Sequence, residues 1–164
     1  MPEKQSKELE FKVIPLTEEE IPEDVKRVFK LHDLSRNYKK KLKDIGEKLG
    51  FKTAFEWKIQ GGSIDVVWCI EKEIPTICQI IPIVAFELET SSRTRKHIKG
   101  DIFNLQLLNA SFNIVIFLKE GFKNEKEFES LLKVSKIYAK TIKNTYIWTE
   151  KEIDEWLEKI KSKD

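Results

Sequence analysis

Acidic side chains interrupt two segments that otherwise read as buried β-structure: Asp65 near the start of GGSIDVVWCI, and Glu87 with Glu89 at the end of IPIVAFELETSS. A carboxylate taken out of water needs a partner, and a divalent cation held through oxygen is the natural one. Glu87 and Glu89 are two residues apart, so on a strand both leave the same face, and a hairpin partner would bring Asp65 beside them. Together they could hold one or two Mg²⁺ (or Mn²⁺) ions and leave positions open for water and a phosphate oxygen, the equipment of a metal-dependent phosphodiesterase. The plainer alternative is a pair of strand-end acids that reach solvent or pair with lysine.

The elements that must position these acids follow from periodicity. Thr17 with Glu20 is a capping-box signature ahead of a short amphipathic helix carrying Val25, Val28, Phe29 and Leu31. A second helix is expected from Ser35, with Tyr38, Leu42, Ile45 and Leu49 on one face and Gly50 as its left-handed stop. Residues 51–59 alternate as a half-buried strand, Gly61-Gly62 is a hairpin turn, and 64–70 form the second strand. After a polar turn at 71–75, residues 76–88 read as a third strand, with Pro82 at a bulge or an edge. From Arg93 the period lengthens, placing Ile98, Ile102, Leu105 and Leu108 on a helix that ends near Asn109. A strand at 112–118 follows, then a helix opened by Asn124 and Glu127, a strand at 145–148, and a last helix capped by Thr149 and Glu152. This order predicts an α/β layer structure, a central mixed sheet between helices.

At 164 residues and 40% hydrophobic content, the chain reads as one domain spanning 1–164, with residues 1–12 as a loose arm. No apolar run reaches ~18 residues, and the opening MPEKQSKELE has no apolar signal core, so neither a spanning helix nor a secretory peptide is expected. Cys69 and Cys78 lie in apolar strands without CxxC spacing and read as buried, reduced thiols of the cytoplasm. The net charge is only +2, so attraction to nucleic acid has to come from local clusters.

Taken with this order of elements, I64-D65-V66-V67-W68 followed by A85-F86-E87-L88-E89 resembles the core of the PD-(D/E)XK nuclease superfamily, over residues 35–118. The resemblance implies a restriction-endonuclease-like three-layer fold, metal ligation by Asp65 and Glu87, and DNA cleavage that leaves 5′-phosphate ends. Glu89 falls where the family usually carries lysine, as in the minority of restriction enzymes with E-x-E, and would act as a further metal ligand or general base. Lys96 or Lys99, on the helix just after the strand, are candidates to restore the missing positive charge. A further acid contributed by the first helix in many family members has Glu47 as its nearest match, with Glu56 on the opening strand as the other option.

Charge placement adds a binding surface. Arg36 to Gly50 includes Lys39, Lys40, Lys41, Lys43 and Lys48, and Arg93, Arg95, Lys96 and Lys99 follow the E-x-E strand at once. Arg93, Arg95, Lys96, Lys40 and Lys41 are the candidate DNA contacts, since guanidinium groups fork phosphates; a solvated lysine-rich helix face is the alternative. His97 reads as a phosphate contact or a surface residue, Gln106 as a structural glutamine, and the four tryptophans as core with no stacking platform for single strands. The reading is a Mg²⁺-dependent DNA endonuclease, homodimeric because double-strand cleavage needs two sites. The alternative is a catalytically inactive module of the same fold that binds DNA or assembles with a defence, repair or mobile-element complex.

Overall fold

Along the middle strands both alternating sets of side chains are apolar and buried, so the sheet has to be covered on two faces. The computed structural model describes residues 21–74, 77–90 and 95–162 and shows that arrangement. Helix α1 (Glu23–Lys48) leads into β1 (Lys52–Ile59), β2 (Gly62–Ile74) and β3 (Ile77–Glu89). Then come α2 (Arg95–Leu108), β4 (Phe112–Phe117), a 3₁₀ turn at Lys119–Gly121, α3 (Glu125–Ala139), β5 (Thr145–Thr149) and α4 (Glu150–Lys161). The five strands lie in the order β1-β2-β3-β4-β5. The first three pair antiparallel, whereas β4 runs parallel to both β3 and β5. On one face Val66, Trp68, Phe86, Leu88, Ile114 and Ile116 pack with Tyr38, Leu42 and Ile45 of α1 and Ile153 of α4. On the other, Val67, Ala85, Val115 and Phe117 pack with Ile98, Ile102 and Leu105 of α2 and Phe128 of α3. This is the expected α/β three-layer fold. No helix among the described residues is long and apolar enough to cross a membrane.

Two expectations need correction. The first two helices are one, because His32-Asp33-Leu34-Ser35 contains no glycine or proline to interrupt the hydrogen-bond ladder. The proposed Thr17 cap lies outside the described residues. Glu71 to Ile74 are not a turn but prolong β2, pairing with Ile77 to Ile80 of β3 through main-chain bonds that polar side chains do not interrupt. Pro82 does sit at an irregularity: Cys69 pairs with Pro82 and Trp68 with Val84, which leaves Ile83 as the extra residue of a bulge. Asn124 caps α3 by accepting from the Glu127 N–H at 2.9 Å, and Thr149 with Glu152 forms the capping box of α4.

Helix α1 is held very close to the sheet. The Trp68 indole Nε1 donates to the Leu42 carbonyl at 3.0 Å, and a Cβ on Gly46 would fall 2.5 Å from that nitrogen and 2.9 Å from the Thr53 hydroxyl. The β1–β2 hairpin then changes sides. Thr53 faces α1, and Phe55 opens toward the same helix, whereas Trp57 and Ile59 pack against the opposite cluster. Val66 belongs to the α1 face and Ile64 to the α2 face. Two residues apart, such pairs should share a face. The break falls at Glu56, whose φ of 49° is in the left-handed region, and at Asp65 across the hairpin. A non-glycine residue held there costs on the order of 1 kcal/mol and marks a place that its surroundings determine.

Candidate active site

Asp65 sits where the β2–β3 ladder ends. The last pair on that side is Val66 with Phe86, and beyond it the Leu88 N–H donates to Asp65 Oδ2 at 2.8 Å, so a side chain takes over the acceptor role. Glu87 and Glu89 remain on β3, paired in parallel with Val115 and Phe117, and are 8% and 3% exposed. The register thus brings Glu87 beside Asp65 and leaves Glu89 on the same side of β3, as the two-residue spacing requires. Burial pushes Glu87 up to about 10, followed by the charges of Asp65 and Asp101, a hydrogen bond with Asp65, and the charge of Glu89. At neutral pH Glu87 therefore keeps its proton and shares it with the Asp65 carboxylate.

Asp101 was not anticipated from sequence. It stands on the second turn of α2, and its Oδ2 is buried without a hydrogen-bond partner among the described residues. An acid on an amphipathic helix is commonplace, and only the packing of α2 across β3 turns it toward Glu87. Lys39 is the other unanticipated member. Its ammonium lies 2.8 Å from Asp65 Oδ1 and also contacts Glu56, which accepts from the Ser63 hydroxyl at 3.2 Å. Burial alone would lower the Lys39 pKa, but hydrogen bonds to Asp65 and Glu56 outweigh it and hold the ammonium above its ordinary value. The same bond with Lys39 holds Glu56 below the usual carboxylate range.

The other candidates are dispersed. Lys99 lies 5.4 Å from the Tyr138 ring centroid, against α3. Glu47 pairs with Lys43 at 3.6 Å one turn along α1. Gln106 donates to the Thr145 hydroxyl at 3.1 Å and ties α2 to β5, a structural role. Arg93 lies outside the described residues, as do the side chains of Arg95, Lys96 and Cys78; Cys69 is buried with a free thiol. Lys41 faces α4, bonded to Asp154 Oδ1 at 2.7 Å with its ammonium 4.1 Å from the Tyr38 ring centroid. Lys40, its neighbour, instead lines a groove with Arg36, Lys43 and Phe55, and Lys39 connects that groove to Asp65. Trp68 stacks on Trp156 at 5.7 Å, and Trp148 meets Trp156 edge-on at 5.1 Å, in keeping with a core role.

The donor chemistry suits a hard cation: the candidate ligands are all carboxylate oxygens, and one of them, Asp101 Oδ2, is buried without a hydrogen-bond partner among the described residues. The geometry is less complete, since among the described residues no three acidic, histidine or cysteine side chains gather in an arrangement ready to hold an ion. The oxygens of Asp65 are engaged by Lys39 and by the Leu88 N–H. An arriving cation would therefore have to displace the Lys39 ammonium from Asp65 and the proton from Glu87. Compared with known proteins, the chain matches no family model, no curated protein and no solved structure.

Proposed function

We propose that the chain is a divalent-metal-dependent endonuclease of the PD-(D/E)XK type that hydrolyses DNA and leaves 5′-phosphate ends. The observation that supports this reading is Asp65 beside a buried Glu87 that also feels the charges of Asp101 and Glu89, with Lys39 linking Asp65 to a cationic groove. Asp65, Glu87 and Asp101 would hold Mg²⁺ or Mn²⁺. When bound, such an ion would polarise a phosphate oxygen and lower the pKa of its water. Glu89 would accept a proton at the inner edge of the site. Lys39 supplies the positive charge that the E-x-E variant lacks in its strand, and the α1 cations hold the backbone of the substrate. We further propose that it works as a homodimer in the reducing cytoplasm, one site for each strand.

The test is nicking of a supercoiled plasmid in Mg²⁺ or Mn²⁺. Wild type should nick, and Asp65→Ala and Glu87→Ala should lose at least about a hundredfold in rate while still binding DNA, the scale expected for groups that organise the reacting centre. One observation favours a second reading, a non-catalytic DNA-binding or assembly module: Lys39 already neutralises Asp65 without an ion. A folded preparation that binds DNA yet cuts neither duplex, branched nor single-stranded substrate would establish the module instead.

A further inference from the structure

The groove between α1 and β1 has a volume of about 730 Å³, and its wall is mixed in a particular way. Arg36, Lys40 and Lys43 come from one face of α1, spaced four and three residues apart, and Phe55 faces them from β1. Seven residues of helix rise about 10.5 Å, enough to meet more than one phosphate of a strand whose nucleotides advance ~3.4 Å each along the axis in stacked form. Asn37 adds an amide that can bond to a base edge, and Asp33 is the one acid among the described residues of the lining. Phe55 is 44% exposed, although the alternation of β1 would bury it beside Trp57. The left-handed backbone at Glu56 breaks that alternation and leaves the ring in a cationic surface. A planar apolar ring among cations fits an unpaired base attached to a phosphate backbone, because stacking needs the ring face while the cations need only the phosphates.

We infer that this groove binds single-stranded or flipped-out nucleotides, with the base stacked on Phe55 and the backbone held by Arg36, Lys40 and Lys43. The inference deepens the nuclease reading by naming its substrate class, and it rests on the nucleic-acid half of that reading. Lys39 lines the same groove and bridges to Asp65, so a strand lying in it is led toward Asp65.

Fluorescence anisotropy in EDTA separates binding from cleavage. The probes are a labelled single-stranded dodecamer, the blunt duplex of the same sequence, and an acidic peptide of similar charge. The single strand should bind tighter than the duplex. Phe55→Ala should weaken single-strand binding by roughly 5- to 100-fold, with Phe55→Trp restoring it and the duplex little affected. Arg36→Ala with Lys40→Ala should weaken both nucleic acids and lessen the salt dependence by about one unit per cation removed. Phe55 is exposed, so the thermal midpoint of Phe55→Ala should match wild type and exclude misfolding as the cause. Unchanged single-strand affinity in Phe55→Ala overturns the inference, as does an acidic peptide that binds as tightly as the single strand. A wild-type protein that fails to nick yet keeps Phe55-dependent binding removes only the enzymatic reading, whereas loss of Phe55 dependence with intact nicking removes only this one.

Discussion

A glutamate that keeps its proton at neutral pH makes stability depend on pH in a direction opposite to that of a salt-bridged acid. Glu87 is raised to about 10 in the folded chain, whereas the same side chain titrates near 4.5 when unfolded. Below the unfolded value both states hold the proton. Above it only the unfolded chain releases one, so each pH unit up to the folded value favours unfolding by about 1.4 kcal/mol. Glu87→Gln cannot ionise. Its Tm should therefore match wild type near pH 4.5 and exceed it by on the order of 10 °C at pH 8.5, read by thermal melts across pH. Equal slopes in the two proteins would show that Glu87 is ionised in the fold. That Asp65, Glu87 and Glu89 lie near one another at the strand ends was legible in sequence from acids that interrupt apolar strands, and Asp65 also shows the plainer alternative, a pairing with lysine. Asp101 and Lys39 were not legible, since both look like routine polar residues of amphipathic helices until tertiary packing aims them. Lys40 and Lys41 show the same limit: adjacent in sequence, one faces the groove and the other Asp154, and only the phase of α1 against α4 decides.

The elements themselves were largely written in caps and periods, which are local. Glycine and asparagine at positive φ close α1 at Gly50, the first hairpin at Gly61 and α2 at Asn109. Thr149→Ala removes the α4 capping box and should cost about 1 kcal/mol in urea unfolding, with the m-value unchanged. Gly46→Ala acts between elements. Its new methyl meets the Trp68 ring and the Thr53 hydroxyl, so it should destabilise by about 1–3 kcal/mol even though alanine is the better helix former. A stabilising effect would mean that α1 can move away freely. What periodicity missed was the change of side in the hairpin, because alternation assumes a regular strand and Glu56 is not in one. The overlong turn assigned to residues 71–75 failed for a related reason: charge marks exposure, and an exposed ribbon can remain fully paired.

At the scale of the whole molecule, the two apolar clusters lie on opposite faces of one sheet, and each contains the large buried side chains of its own helices. Layers of this kind could in principle open one at a time. The hairpin prevents it, since the half with Phe55 and Val66 belongs to one layer and the half with Trp57 and Ile64 to the other. Native-state hydrogen exchange should therefore find the slowest amides of β2 and those of α2 opening with a common free energy, within about 0.5 kcal/mol. Two well-separated opening energies would show that the layers melt independently. A single ribbon stitched through both halves of the molecule also means that the stretch carrying Asp65 cannot be freed without unpicking the rest: the seam that offers up the carboxylate is the one that keeps the cloth whole.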